Sequence, residues 1–121
     1  MAIDPRGADL KRLLVEDDGG PFVMLNLLRF AEGKREQYDE YVRRAGEFVT
    51  RYGGESVYYG DGSTALVAEA GQDWDAVVLV RYPSRAAFSR MVADPEYHLI
   101  SHLRTGALTE AVLQATTPRE P

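Results

Sequence analysis

The chain has 121 residues, 45% of them hydrophobic and 27% charged, which is the size and balance of one compact domain. Its formal charge of −5 at pH 7 argues against nucleic acid and anionic lipid as partners, since both attract basic proteins. No cysteine is present, which excludes disulfides and thiolate chemistry and favours a cytoplasmic location. No apolar run of about 18 residues and no leader pattern occurs, so we expect neither a membrane span nor export.

The first 19 residues predict a short helical extension and a linker. Asp4-Pro5 has the residue types of a helix cap and a first helical position. An apolar stripe at i, i+3 and i+4 follows at Leu10, Leu13 and Leu14. Acidic residues, glycines and a proline over residues 17–21 end this helix. We therefore divide the chain into an extension (1–19), a folded domain (20–117) and a frayed tail (118–121).

A strand and a long helix open the folded domain. Residues 22–30 alternate, with Met24, Asn26 and Leu28 on one face and Leu25 and Leu27 on the other, so both faces are largely apolar. Residues 34–52 carry large side chains at helical spacing and are followed by Gly53-Gly54, a typical helix stop. The prediction is a strand followed by an amphipathic helix.

The second half of the domain is predicted to contain four more extended segments and two helices. Residues 55–60 and 63–70 flank Asp61-Gly62 and predict a hairpin, and residues 74–82 predict an apolar strand. Ser84 suits the cap of a helix that reaches residue 93. Asp94-Pro95 starts a second helix, because proline cannot donate into the preceding turn, and Gly106 ends it. Residues 108–116 predict the last strand.

This order of elements predicts the α+β fold class, as a ferredoxin-like βαββαβ unit with an extra hairpin and an N-terminal helix. Both helices should pack on one face of the sheet, although the strands at 22–30 and 74–82 are apolar on both faces. A bare apolar face of this size is rare on a monomer. The simplest cover is a second copy, in a homodimer through the sheet faces. The alternative is that the N-terminal helix covers this face alone, although its apolar stripe is narrow.

Several short motifs lie within residues 21–117, and they are Met24-Leu25-Asn26-Leu27-Leu28-Arg29-Phe30, Tyr38-x-x-Tyr41, Gly53-Gly54, Trp74-Asp75, Tyr82-Pro83-Ser84 and Asp94-Pro95-Glu96-Tyr97. In this order and spacing they resemble the DUF1330 family of small bacterial proteins of unknown function. The resemblance implies a dimeric α+β barrel, an assembly that cofactor-free monooxygenases, isomerases, decarboxylases and haem-dependent proteins also use. It implies no established activity.

Asn26 is the one uncharged polar side chain in the first strand. Burying an amide costs about 1–3 kcal/mol unless its hydrogen bonds are made. It either faces a cavity, where it holds a ligand carbonyl or an oxyanion as a catalytic group, or bridges backbone groups at a bulge or edge. The sequence leaves both interpretations open.

Tyr38 and Tyr41 lie on the inner stripe of the long helix, so their rings should point at the sheet that carries Asn26. Aromatic walls with a few polar tips are typical of pockets for small organic ligands. We assign Tyr38 a candidate catalytic role and Tyr41 a ligand-binding role. Aromatic residues at helical spacing also form ordinary core, and this alternative stays open.

His98 and His102 stand at i, i+4, a spacing that suits a metal, but no HExxH pattern accompanies them and both face outward on a helical wheel. We expect no metal, and keep His102 only as a candidate proton-transfer residue. Arg81 and Arg104 are candidates to meet an anionic ligand group, and Tyr97 shares the edge of its helix with Arg104.

Two functions fit these residues. The first is a small enzyme that uses no metal, nucleotide or other cofactor and acts on a hydrophobic, oxygenated organic molecule, with Asn26 polarising an oxygen and a tyrosine or histidine moving a proton. The second is a dimer that binds or senses a ligand without changing it. Haem binding is a more distant third. No nucleophile elbow, glycine-rich phosphate loop or acidic metal cluster occurs in the sequence.

Overall fold

The computed structural model describes residues 3–120. The first two residues of the predicted extension and the last residue of the predicted tail lie outside that range. The elements in chain order are α1 (Gly7–Val15), β1 (Phe22–Phe30), α2 (Arg35–Arg51), β2 (Glu55–Asp61), β3 (Ala76–Tyr82), α3 (Arg85–Ala93), α4 (Pro95–Ala107) and β4 (Leu108–Thr116).

The strands form one antiparallel sheet in the order β2-β3-β1-β4. This confirms the predicted ferredoxin-like α+β class. β1 lies between two neighbours, with Asn26 opposite Val78 of β3 and Leu113 of β4. Residues directly opposite each other share a face, so these three side chains point towards the same layer of helices. The amide of Asn26 is therefore near the centre of the sheet.

Backbone turns at the end of α2 bring the chain back to the sheet. Gly53 has a φ of +82°, a conformation that favours glycine. At Gly54 a Cβ atom would come within 2.8 Å of the carbonyl oxygen of Arg81. The two glycines thus allow β2 to start beside β3, and they hold the inner face of α2 against the sheet.

Two caps orient α3 and α4, as the sequence predicts. The Oγ of Ser84 accepts a hydrogen bond from the amide of Ala87 at 3.0 Å. The Oδ1 of Asp94 accepts one from the amide of Glu96 at 2.9 Å, and Pro95 occupies the first turn of α4. The second helix consequently starts in a new direction, with its buried side facing the sheet.

The predicted strand over residues 63–70 is wrong. These residues form bends and turns in the connection between β2 and β3, and Leu66 is 98% exposed. β2 pairs instead with β3. Because the segment consists mainly of small side chains, a strand on the outer edge of β2 would bury little apolar surface.

The N-terminal helix starts later than the sequence suggests. Its N-cap is Arg6, and the amide of Arg6 donates to the Oδ2 of Asp9 at 2.9 Å. Asp4 does not cap α1, because its carboxylate accepts hydrogen bonds from Arg104 and Thr105 of α4. The predicted cap at Asp4-Pro5 is thus replaced by a long-range contact.

α1 does not cover the face of the sheet opposite the helices. Its Leu10 and Leu13 pack against the core cluster that contains Phe22 and Met24, on the side of the sheet where α2, α3 and α4 lie. The other face keeps a set of partly exposed apolar side chains, which are Val23, Leu25, Leu27, Val77, Leu79 and Val112. We call this set the open sheet face. Among residues 3–120, no helix is long and apolar enough to cross a membrane.

Candidate functional site

A cavity of about 450 Å³ lies between the sheet and the helices. Its volume is in the range of pockets for small organic ligands, and most of its wall is apolar. β1, β3 and β4 form the floor, helices α2, α3 and α4 form the walls, and residues 4 and 5 reach it from the N-terminal side. The polar residues that matter most are Asn26, Tyr38, Tyr41, Tyr97, Arg104 and Asp4.

Asn26 is 8% exposed and forms part of the cavity floor. Its Nδ2 donates to the carbonyl oxygens of Met24 and Val78, both at 3.3 Å. Since only the NH₂ group can donate to carbonyls, these two bonds fix the orientation of the amide. The Oδ1 accepts no hydrogen bond from any residue between 3 and 120. The side chain therefore bridges two strands and still presents an acceptor at the cavity, whereas the sequence-based hypothesis expected a donor to a ligand oxygen.

Three tyrosine side chains form an aromatic wall opposite the sheet. The rings of Tyr38 and Tyr41 lie 5.5 Å apart, and the hydroxyls of Tyr41 and Tyr97 are hydrogen bonded at 2.7 Å. Burial raises the pKa of Tyr38 to about 12 and holds the pKa of Tyr41 well above its ordinary value. At neutral pH these groups stay protonated, so they are suited to donate hydrogen bonds and poorly suited to act as bases.

Arg104 is the buried cation of the site and is 5% exposed. Its Nη1 donates to the carbonyl oxygen of Ile3 at 2.6 Å and to the Oδ1 of Asp4 at 2.8 Å. Its Nη2 is buried and has no partner within residues 3–120. Burial raises the pKa of Tyr38 and of Tyr97, and the positive charge of Arg104 partly offsets that rise for both. The guanidinium thus lies close to the tyrosine wall.

Residues 3–5, which we call the N-terminal strap, cross the end of α4. The Oγ1 of Thr105 donates to the Oδ2 of Asp4 at 2.7 Å, so Asp4 binds two consecutive residues of the helix. Asp4 and Pro5 line the cavity. Sequence reasoning missed this role, because nothing local in the chain marks a pairing between positions 4 and 104.

The structure brings some of the sequence-based candidates together and leaves others apart. Asn26, Tyr38, Tyr41, Tyr97 and Arg104 all line the cavity. Arg81 and His102 do not line it.

Arg81 and His102 are separated from the cavity by their positions in the fold. Arg81 lies opposite Val23 in the sheet register, on the open sheet face. His102 is exposed on α4. His98 lines the cavity, and its Nε2 donates to the carbonyl oxygen of Val92 at 2.8 Å. No group of three or more His, Asp or Glu side chains in residues 3–120 is placed to hold a metal ion.

A comparison with protein-family models assigns the chain to a family. The family model described as "Domain of unknown function (DUF1330)" matches residues 27–116. The chain belongs to the DUF1330 family. The matched segment runs from the middle of β1 to the end of β4 and so contains most of the cavity wall, whereas α1 and the N-terminal strap precede it. The comparison with curated proteins found no match.

Several solved structures are similar to this chain in fold. The RPA0582 protein of unknown function from Rhodopseudomonas palustris is 32% identical, with a TM-score of 0.88 over 98% of each chain. SnoaB, a cofactor-independent oxygenase from Streptomyces nogalater, is 18% identical, with a TM-score of 0.61 over 84% of this chain and 96% of its own.

A NIPSNAP family protein of unknown function from Agrobacterium tumefaciens is 22% identical, with a TM-score of 0.59 over 84% of this chain and 90% of its own. The likeness to this protein and to SnoaB shows the fold alone. This DUF1330 chain shares its ferredoxin-like α+β fold with both proteins.

Proposed function

We propose that this DUF1330 protein binds a small oxygenated organic molecule in the cavity between its sheet and its helices. The observation that carries the proposal is the composition of the cavity wall. A largely apolar cavity of about 450 Å³ is lined by a few polar residues, among them Asn26, Tyr38 and Arg104. Concave apolar surfaces with a few polar groups are typical of sites for small molecules.

The polar groups divide into donors and one acceptor. The protonated hydroxyl of Tyr38 and the Nη2 of Arg104 are donors, and the Oδ1 of Asn26 is an acceptor. Donors inside an apolar enclosure stabilise negative charge that develops on a ligand oxygen. Cofactor-free oxygenation, isomerisation and decarboxylation all require such stabilisation. SnoaB, which has a similar fold, is described as a cofactor-independent oxygenase, and this supports a catalytic role without assigning a reaction.

We further propose that the protein is a homodimer in which the open sheet faces of two copies cover each other. The support is the set of apolar side chains that α1 leaves uncovered, including Leu25 and Leu79. Burying apolar surface against an identical surface is favoured by about 25 cal/mol per Å². A two-fold contact lets the same patch serve both copies.

The experiment that tests the pocket is native mass spectrometry of gently purified protein, followed by a thermal-shift screen of small oxygenated compounds. We expect a retained or added small molecule. The variant Ala45→Phe, which places a ring in the cavity wall, should abolish its binding. A bound compound that is recovered unchanged identifies a binding protein, and turnover or oxygen consumption identifies an enzyme. Equal binding by wild type and Ala45→Phe would refute the assignment of this cavity.

A further inference from the structure

Arg104 places a buried cation in the cavity wall, and the described residues do not fill all of its hydrogen-bonding positions. The guanidinium is charged at every physiological pH, and burying a charge is costly unless it is paired and hydrogen bonded. Its Nη1 has two acceptors, but its Nη2 is buried with no partner in residues 3–120. The side chain is 5% exposed and lines the cavity. An acceptor that reaches this nitrogen would therefore stabilise the buried side chain.

An anionic acceptor would bind a guanidinium nitrogen more strongly than a neutral one, because charge-assisted hydrogen bonds are about twice as strong as neutral ones. The neighbouring tyrosines are protonated at neutral pH, so they add no negative charge. Within residues 3–120, Asp4 is the only acidic side chain bonded to Arg104. Its side chain is 45% exposed and binds Nη1 only. Glu55 also lines the cavity but is exposed at the start of β2 and makes no hydrogen bond to Arg104.

We propose, given that the cavity binds a small molecule, that its ligand is an organic acid whose carboxylate pairs with the Nη2 of Arg104. A carboxylate oxygen accepts a charge-assisted hydrogen bond from a single guanidinium nitrogen. A phosphate ester is a poorer match, because Arg104 is the only lysine or arginine among the described residues that line the cavity, and a second negative charge would face apolar walls and tyrosine rings. The apolar part of the cavity takes the hydrocarbon or aromatic body of the acid. The Oδ1 of Asn26 suits a hydroxyl or N–H on that body.

Asp4 of the N-terminal strap should weaken the binding of acids at Arg104. The carboxylate of Asp4 shares the guanidinium with the ligand and repels a second negative charge, so Asp4 and the ligand act against each other at Arg104. Replacing Asp4 by Asn keeps an acceptor at Nη1 and removes the charge. The structure thus assigns opposite effects on acid binding to Asp4→Asn and Arg104→Gln.

Arg85 offers a matched control for Arg104. It is partly buried beside an adjoining cavity near α1, which shares Asp4, Pro5 and Met24 with the first cavity. Its Nε has no partner within residues 3–120, and its Nη1 approaches the carbonyl oxygen of Leu13 at 3.5 Å. The variants Arg85→Gln and Arg104→Gln therefore remove the same charge from two neighbouring places. Only Arg104 lines the cavity that contains Asn26 and the tyrosine wall.

The test is a binding titration with matched neutral and anionic probes. The probes are phenylacetate, 4-hydroxyphenylacetate and 2-naphthoate, each compared with its primary amide, in wild type and in the variants Arg104→Gln, Arg104→Lys, Asp4→Asn and Arg85→Gln. We expect wild type to bind the acids at least tenfold more tightly than the amides. Arg104→Gln should reduce this ratio to below threefold, Asp4→Asn should increase it, and Arg104→Lys should keep part of it. Arg85→Gln should leave it unchanged.

The outcomes separate the ligand class from the pocket itself. Equal binding of acids and amides by wild type would overturn the acid proposal and leave the proposed pocket standing. Loss of the preference in Arg85→Gln but not in Arg104→Gln would overturn it by placing the acid in the other cavity. If Arg104→Gln does not fold, Asp4→Asn decides: an unchanged acid-to-amide ratio in that variant refutes the proposal. No binding of any acid or amide by wild type would refute both proposals.

Discussion

The hydrogen bond between the hydroxyls of Tyr41 and Tyr97 can be used to test whether water is excluded from this part of the cavity wall. The two oxygens are 2.7 Å apart, and the rings come from α2 and α4. Removing one hydroxyl leaves the other without its partner, which costs about 1–2 kcal/mol at a buried site. For a domain of this size that corresponds to a fall in Tm of roughly 4–8 °C. We expect this fall for Tyr41→Phe and for Tyr97→Phe.

The double variant distinguishes a buried pair from two independent hydroxyls. Removing the second hydroxyl strands nothing further, so the double variant should cost little more than either single variant, with a coupling free energy of about 1 kcal/mol. Thermal and urea unfolding followed by circular dichroism measure all four corners of the cycle. Tyr58→Phe, whose side chain is half exposed on β2, is the control and should change stability by less than about 0.5 kcal/mol. Additive losses in the double variant would refute the buried pair.

Four further predictions follow from the site, the open sheet face and the caps. Asn26→Leu should keep its Tm within about 4 °C of wild type, because the loss of two long hydrogen bonds of about 1 kcal/mol each is offset by apolar burial of about 2 kcal/mol. The variant should also weaken ligand binding. A large fall in Tm would show that the main role of Asn26 is to bridge the two strands. Leu25→Lys on the open sheet face should shift the mass measured by light scattering from dimer to monomer, whereas Leu66→Lys on the exposed loop should not, and an undiminished dimer would contradict the proposed interface. Dialysis against a chelator should leave the Tm unchanged, and a fall reversed by added metal would contradict the expectation of no metal. The hydrogen bond from the Tyr52 hydroxyl lowers the pKa of Asp94. Asp94 therefore stabilises the fold above its unfolded pKa of about 3.9, and this contribution is lost as the pH falls through the lower folded pKa. Asp94→Asn should flatten this part of the stability–pH curve, and an unchanged curve would contradict the contact.

The residues of the site illustrate what periodicity alone provides. Alternation along β1 places Asn26 with Met24 and Leu28, and helical spacing places Tyr97 and Arg104 on one edge of α4. Both patterns depend on the geometry of a single element, whose side chains repeat every 2 or 3.6 residues. The buried stripes in the structure follow these patterns, which is why the sequence could nominate several side chains that line the cavity, although not Asp4.

The hydrogen-bond partners and the orientation of each of these side chains depend on the tertiary structure. The orientation of the Asn26 amide depends on the carbonyl oxygen of Val78, 52 residues away, and the pairing of Arg104 depends on Asp4, 100 residues away. Arg81 was a reasonable ligand-binding candidate by residue type, but the register of β3 against β1 places it on the open sheet face.

The sequence by itself determined the order of elements, the two apolar faces of the central strands and the caps at Ser84 and Asp94, because each depends on residues within about four positions of one another. Only the tertiary structure decided that residues 63–70 form no strand, that the N-terminal strap reaches α4, and that Arg104 keeps a buried nitrogen without a partner at the cavity. These features arise from strand register and helix docking between distant segments, for which neither local propensity nor hydrophobic periodicity carries information.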